Sequence, residues 1–191
     1  MKEEKIFLEI ARQYFNDKVL YEDTIEYQRL LEKVAEGRKN VTLQKKFFES
    51  ISSIISSSEY IIEDVTRFGG LDRSYVFTIE NLSLSTKERI CDTIICVSFL
   101  VPYYCIYQRE TIIYYDKNGE RGPQSYNLNL DEFSFVSSDS LMEIRKLLDN
   151  MGYTEVKGDQ IIMPLPYFYT VGIPHEEFTL FTALFKNLME V

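Results

Sequence analysis

The stretch that decides the fold runs from Cys91 to Asp116 and reads CDTIICVSFLVPYYCIYQRETIIYYD. It is dense in Ile, Val, Phe and Tyr, the residue types that pack well on a pleated sheet. Because successive side chains of a strand point to opposite faces, this composition gives two faces that are both apolar. We therefore predict core strands of an antiparallel sheet that is covered on both sides. Pro102 has no amide proton for a ladder hydrogen bond, so we expect a bulge, a bend or a strand end there.

The start of this stretch has an alternative interpretation as a short helix from Thr86 to about Cys96. Ser85 and Glu88 have the spacing of a capping box, which begins many helices. We favour the strand because β-branched residues, which are stiff in helices, are closely spaced there. These residues are Thr93, Ile94, Ile95 and Val97.

Before the core stretch, apolar residues recur first at helical and then at strand spacing. The predicted helices cover residues 2–15, residues 22–36 with Gly37 as a stop, and a third segment that Asn40 or Thr42 caps and that ends near Ser56. A β-hairpin follows, with strands at 60–68 and 73–82 around the glycine pair at 69–70.

After the core stretch, Asn118 and Gly119 indicate a turn into a return strand that contains Tyr126 and Leu128. The predicted C-terminal elements are a helix capped by Ser138 or Asp139, a hairpin of residues 153–156 and 160–165, and a last helix from His175 or Glu176. The fold class is therefore α+β in a single domain spanning 1–191. We expect an N-terminal helical layer, a central antiparallel sheet and a C-terminal helix–hairpin–helix.

The charge of the chain limits its partners. Of its 191 residues, 30 are Asp or Glu and 21 are Lys or Arg, which gives a formal net charge of −9. Residues 1–50 are balanced, so residues 51–191 carry the whole acidic excess. An acidic surface repels phosphate and attracts basic partners, so we expect no nucleic acid and no membrane as partner. The absence of an apolar signal segment favours a cytoplasmic protein.

Residues with catalytic or metal-binding chemistry are sparse. The only histidine, His175, lies beside a proline at a predicted helix start, so a surface position is favoured over catalysis. Three cysteines, at 91, 96 and 105, lack the close pairs of a zinc site, and their apolar surroundings predict buried free thiols. The glycine-rich segments have no phosphate-loop spacing. We therefore predict no catalytic residue, no metal and no cofactor.

Tyrosines of the sheet and acidic residues of the second half are the candidate partner-binding residues. Tyrosine is favoured at binding surfaces because a large ring carries a polar tip, although rings that bridge sheet and helices would be the plainer explanation. Carboxylates in predicted turns and at a helix start reach solvent and can attract a basic partner. The predicted partner-binding residues are Tyr103, Tyr107, Asp131, Glu132, Asp159, Glu176 and Glu177.

The C-terminal run from Pro164 to Phe185, PLPYFYTVGIPHEEFTLFTALF, is similar to the tails of some immunity proteins of bacterial polymorphic-toxin systems. The small, acidic α+β layout also resembles that group. The resemblance implies a cytoplasmic inhibitor of a cognate toxin, often a basic nuclease, and it carries over no specific functional residue.

The leading hypothesis is therefore a non-enzymatic protein that binds another protein, and the resemblance implies the role of an immunity protein. One alternative is a hydrolase-type enzyme that uses carboxylates in a cleft, and another is a structural or scaffold subunit. A pocket lined by close carboxylates would favour the enzyme, whereas a flat or concave acidic surface would favour the binding protein.

Overall fold

The sheet predicted from the core stretch forms the centre of the protein. In the computed structural model, which describes residues 2–16, 21–67, 72–131, 133–165, 168 and 178–185, five strands pair antiparallel in chain order. These strands are β1 (Tyr60–Asp64), β2 (Ser74–Asn81), β3 (Arg89–Ser98), β4 (Tyr103–Tyr115) and β5 (Arg121–Asn129). A short sixth strand, β6 (Thr154–Glu155), pairs in parallel with the start of β4. The predicted α+β class is confirmed.

The core stretch folds as β3 and β4, which are buried on both faces over most of their length. Ile94 and Cys96 belong to the apolar core on one face of the sheet, which we call the first face. Ile95 and Val97 belong to the core on the opposite side, the second face. The strand interpretation is therefore confirmed and the alternative helix is wrong. Pro102 lies between the two strands, so the predicted strand end is found as well.

All three cysteines are free and buried, as predicted. Cys96 on β3 lies directly opposite Cys105 on β4. Burial raises the pKa of the Cys105 thiol, and it also raises the pKa of Cys91. Since the thiolate is the reactive form of cysteine, these side chains act as small core residues.

Five helices of the described residues cover the sheet in two groups. They are α1 (Lys2–Ala11), α2 (Ile25–Lys39), α3 (Val41–Ile54), α4 (Ser138–Asn150) and α5 (Leu180–Leu184). Apolar residues of α1, α2 and α5 join the core on the first face, whereas those of α3 and α4 join the core on the second face. The three N-terminal helices therefore do not form one layer, because α3 lies on the other side of the sheet.

Asn40 directs the chain from the first face to the second by ending α2 and starting α3. Its backbone N–H donates to the Gly37 carbonyl, and its side chain accepts from the Leu43 N–H at 3.1 Å. Asn40 is thus the predicted N-cap. The expectation that Gly37 stops α2 is wrong, because the helix continues to Lys39. Gly37 instead gives α2 room against the Phe99 ring, since an added Cβ would lie 2.3 Å from its Cγ.

Other boundaries differ by a few residues from those predicted. β1 and β2 form the expected antiparallel pair, and the glycines of their predicted turn lie outside the described residues. Gly119 has a φ of 79° in the turn between β4 and β5, a conformation that glycine adopts without steric cost. Ser137 rather than Ser138 or Asp139 caps α4, because the Ser137 side chain accepts from the Ser140 N–H.

The end of the described chain closes the first face through buried hydrogen bonds. Arg73, which is fully buried, donates from Nη1 to the Thr182 carbonyl in α5 at 2.7 Å. Two serine hydroxyls satisfy the next carbonyls: Ser98 donates to Leu184 at 2.7 Å and Ser74 to Phe185 at 3.0 Å. Carbonyls in the last turn of a helix lack helical partners, so these donors hold α5 in the core.

The predicted C-terminal hairpin is not found. β5 pairs with β4 only from Gln108 onward, which leaves the start of β4 with a free edge. β6 fills this edge: the Thr154 N–H donates to Pro102 O, and the Val156 N–H donates to Tyr104 O. Residues 161–165, the second predicted strand of the hairpin, form backbone hydrogen bonds with residues 178–181 instead.

The last described helix also begins later than predicted. Thr179 caps α5, and its side chain accepts from the Thr182 N–H. The predicted starting residues His175 and Glu176 lie outside the described residues. The described part of the predicted apolar stripe is confirmed, since its residues are at most 1% exposed: Phe178, Phe181, Leu184 and Phe185.

Candidate functional site

Helices α3 and α4 pack against the second face, whereas part of the first face is left open by the described residues, where β1 to β4 extend beyond α1, α2 and α5. A concavity of about 240 Å³ lies there. We call it the open face, and it is lined by Ile61, Glu63, Val65, Arg67, Val76, Thr78, Glu80, Ile90, Asp92, Ile94, Tyr107 and Arg109. Because residues two apart along a strand share a face, each of the four strands contributes alternate side chains to it.

Apolar side chains of the core form the floor of the open face. Val76, Ile94 and Tyr107 are at most 9% exposed and belong to the core of the first face. The Tyr107 ring packs edge-on against Phe181 of α5, with ring centroids 5.9 Å apart. The floor is therefore continuous with the folded core and is held rigidly beneath the more exposed rim.

A row of cross-strand neighbours forms one side of the open face. Ile61 lies opposite Glu80, Glu80 opposite Asp92, and Asp92 opposite Arg109. Arg109 Nη2 binds the Asp92 carboxylate at 2.9 Å, and its guanidinium lies 5.7 Å from the centre of the Tyr126 ring. Two carboxylates, those of Glu80 and Asp92, thus face each other across neighbouring strands, an arrangement that is unfavourable unless cations offset it.

Arg109 offsets only one of these carboxylates. Among the described residues, neither Glu80 nor Glu63 forms an ion pair with another side chain. Thr78 lies directly opposite Glu63 and lines the same concavity. Thr78 is 8% exposed, and its solvent-accessible hydroxyl has no hydrogen-bond partner in the described part of the chain. The open face therefore presents three hydrogen-bond acceptors that are not used within the described fold.

A second concavity, of about 350 Å³, lies on the second face, and its polar groups are paired with one another within the chain. Its Glu110 carboxylate accepts from Asn127 at 2.9 Å and forms an ion pair with Arg89. Both contacts hold the pKa of Glu110 below its ordinary value, the Asn127 hydrogen bond most of all. Gln108 accepts from the Ser134 N–H at 3.1 Å. These polar groups bind one another, so this concavity offers less to a ligand than the open face.

The predicted partner-binding residues lie in different places. Tyr107 is 5% exposed, and it lines the open face. Tyr103 is partly buried and packs edge-on against Phe7 of α1 at 5.8 Å. These two tyrosines point to the first face and Tyr104 to the second, as their spacing predicts.

Two of the predicted acidic residues form a separate exposed edge. Asp131 follows β5, and Asp159 lies in a 3₁₀ turn that spans Gly158–Gln160. The Asp131 carboxylate lies against Gly158, where an added Cβ would be 2.3 Å from its Oδ1. Neither aspartate lines the open face. The other three predicted acidic residues lie outside the described part of the chain: Glu132, Glu176 and Glu177.

The residues that line the rim of the open face, Glu63, Thr78, Glu80 and Asp92, were not predicted as binding residues. A sequence signal for them exists, because on β2 the apolar position Val76 is followed two residues later by Thr78 and then by Glu80. A polar residue two positions after a core residue lies on the same face of the strand, so it indicates where that face is no longer covered by the core. The pairing of β1, β2 and β3 was needed to show that these places coincide.

The described residues bring no three His, Cys, Asp or Glu side chains together in a way that would hold a metal ion. None of the described helices combines the length and the apolar composition needed to cross a lipid bilayer. Comparisons with models of protein families, with curated proteins and with solved structures find no match to this chain. Function is therefore inferred from the geometry of the open face.

Proposed function

We propose that this protein is a non-enzymatic, cytoplasmic protein-binding module whose partner docks on the open face. The observation that supports it best is that the open face carries acceptors without a partner among the described residues, whereas the polar groups of the second concavity bind one another. The best-fitting biological role is that of an immunity protein that inhibits a cognate basic toxin.

The composition of the open face suits a protein partner. Its apolar floor can be desolvated on contact, and its charged rim can orient the partner, the arrangement typical of protein interfaces. Ile61 is 43% exposed at this rim, although it is large and apolar.

The same residues suit carboxylate catalysis less well. Asp92 is the carboxylate directly opposite Glu80, and it forms an ion pair with Arg109. It is therefore not free to act together with Glu80 as a catalytic pair. Glu63 and Ile61 at the rim are exposed to solvent, whereas catalytic carboxylates work in clefts that exclude water. Binding therefore explains the open face better than hydrolysis does.

The product of the adjacent gene is the first partner to test. Calorimetry would measure its binding, and an assay of its own activity would measure inhibition. We expect stoichiometric binding and loss of that activity in the presence of the wild-type protein. Absence of both binding and inhibition by that product would reject the immunity role.

A pair of matched variants would locate the interface. Ile61→Arg adds a bulky charge to the open face, and Met142→Arg adds the same group to the exposed side of α4, where Met142 is 47% exposed. We expect Ile61→Arg to weaken binding at least about tenfold, which is about 1.4 kcal/mol, because a bulky charge at this position obstructs the concavity. We expect Met142→Arg to leave binding unchanged. Equal effects of the two variants would contradict docking on the open face.

A further inference from the structure

The three unused acceptors of the open face define the chemistry of the group that enters it. We infer that Glu63, Thr78 and Glu80 form a subsite for one arginine or lysine side chain of a protein partner. This inference rests on the proposed function, because it names the part of the partner that the open face would take.

The register of the strands places the three acceptors together. Glu63 on β1 lies directly opposite Thr78 on β2, and Glu80 is two residues further along β2 on the same face. Directly opposed residues of antiparallel strands have Cβ atoms about 4.5–5.5 Å apart. A guanidinium with five N–H donors, or an ammonium with three, can therefore contact both carboxylates and the hydroxyl from one position.

Thr78 shows that the subsite is more than a cluster of acidic residues. The residue is 8% exposed, and its hydroxyl has no hydrogen-bond partner among the described residues. The hydroxyl oxygen is not one of the fully enclosed atoms that lack a partner, so it faces the solvent of the concavity rather than the core. An incoming guanidinium or ammonium group can therefore donate to it together with the two carboxylates.

The surrounding charges favour a cation over an anion. The concavity contains the carboxylates of Glu63, Glu80 and Asp92 and the guanidinium groups of Arg67 and Arg109. Asp92 and Arg109 neutralise each other at 2.9 Å. Two carboxylates and one exposed guanidinium then remain, so the local field attracts a positive group.

The apolar walls favour a long basic side chain over a small cation. Ile61 on β1 and Val65 just after this strand flank Glu63 and line the same concavity. Arginine and lysine pack their methylene stems along apolar surface while the charged end reaches polar partners. A residue of this kind would use both the walls and the acceptors.

The probe for the experiment is N-acetyl-arginine methylamide, titrated into isotopically labelled protein and followed by NMR. The isosteric citrulline derivative, which is neutral, serves as the ligand control. We expect saturable shifts of the amides around Glu63, Thr78 and Glu80 with the arginine probe in the millimolar range, and at least about fivefold weaker binding of the citrulline probe. The lysine derivative tests whether an ammonium is accepted as well.

A charge-matched pair of variants serves as the protein control. Glu63→Gln/Glu80→Gln removes both carboxylates of the subsite with little change in shape. Glu49→Gln/Glu143→Gln removes two exposed carboxylates from α3 and α4, which cover the opposite face. We expect at least about fivefold weaker arginine binding in the first variant and wild-type binding in the second. Unchanged NMR spectra away from the open face would show that both variants are folded.

Equal shifts with arginine and citrulline, or full retention of binding in Glu63→Gln/Glu80→Gln, would overturn the subsite. So would shifts that are confined to the edge around Asp131 and Asp159. The subsite can be rejected while the proposed docking on the open face is retained. A partner that binds wild type and loses binding on Ile61→Arg, without any effect of Glu63→Gln/Glu80→Gln, would reject the subsite and retain the docking face.

Discussion

The two faces of the sheet differ in how far their polar groups are satisfied within the chain. On the second face, α3 and α4 pack against the strands, and polar groups such as Gln108 and Glu110 bind within the chain. On the first face, α1, α2 and α5 cover only part of the strands, and Thr78, Glu63 and Glu80 have no side-chain partner among the described residues. Polar groups that are satisfied within the chain support the fold, whereas we propose that the acceptors without a partner serve a ligand.

The largest difference in the free energy of unfolding is expected between two substitutions, one of an aromatic residue in the core of the second face and one of an aliphatic residue on the open face. Phe47 of α3 is fully buried and packs against Tyr75, Phe77 and Tyr153. We expect Phe47→Ala to lower the free energy of unfolding by about 3–5 kcal/mol because it leaves a cavity. Ile61→Ala should cost at most about 1 kcal/mol, since Ile61 is already 43% exposed. Urea denaturation measures both, and similar losses would show that the open face is part of the core.

The next largest loss of stability is expected at high pH, where buried tyrosines lose their protons. Burial raises the pKa of Tyr75 to about 12, and it raises the pKa of Tyr104 and Tyr153 as well. Because the folded protein holds the phenol proton more tightly than the unfolded chain does, the raised pKa stabilises the folded state. This stabilisation is fully present below the pKa of an unfolded tyrosine, which is about 10, and it is lost as the pH rises toward the pKa in the folded protein. For Tyr75 alone the loss between pH 10 and 12 should be roughly 2–3 kcal/mol.

Tyr75→Phe tests this assignment. The variant loses the hydrogen bond from the Tyr75 hydroxyl to Gly37 O at 2.8 Å, which should cost about 1 kcal/mol at pH 7. Its stability should then fall less steeply than that of wild type above pH 10. Tyr114→Phe is the control, because Tyr114 is 53% exposed. Identical slopes for wild type and Tyr75→Phe would assign the alkaline loss to other groups.

A smaller loss of stability is expected from a substitution at Gly37, where α2 meets the turn that follows β3. A Cβ at Gly37 would lie 2.3 Å from the Phe99 ring. Overpacking typically costs about 1–3 kcal/mol, while alanine gains about 1 kcal/mol of helix propensity over glycine. We therefore expect Gly37→Ala to destabilise by up to about 2 kcal/mol in thermal or urea unfolding. Glu36→Ala, at the exposed neighbouring position, should be close to neutral, and a stabilised Gly37→Ala would show that Phe99 moves freely.

The smallest effect is expected from the rim of the open face. Glu63→Gln/Glu80→Gln should change the free energy of unfolding by no more than about 0.5 kcal/mol, because neither carboxylate has an ion-pair partner among the described residues. Replacing Glu80 also removes a like charge opposite Asp92, so a slight gain is expected rather than a loss. A loss above about 1 kcal/mol in urea denaturation would assign these residues to the fold.

Much of the fold follows from local sequence pattern. The apolar alternation of β3 and β4 predicted strands buried on both faces, and the helical spacing in α1 to α4 predicted their positions to within a few residues. Gly37 was mistaken for a helix stop because its conformational freedom is visible in sequence, whereas its contact with Phe99 is not.

The parts that could not be predicted depend on long-range pairing. Residues 153–156 and 160–165 look like a hairpin, but the free edge of β4 and the segment around α5 compete for their backbone groups. The residues that we propose for binding could not be predicted for the same reason. Glu63, Thr78 and Glu80 are ordinary strand residues until the register of β1 and β2 places them in one concavity.

Hydrogen exchange of the protein with and without its bound partner tests the central claim most directly. β1 is an edge strand with exposed side chains, so its amides and those of residues 65–67 should exchange readily in the free protein. Docking on the open face predicts slower exchange in β1 and at 65–67, and unchanged exchange in α3 and α4. Protection confined to α3 and α4, or to the edge around Asp131 and Asp159, would contradict docking on the open face.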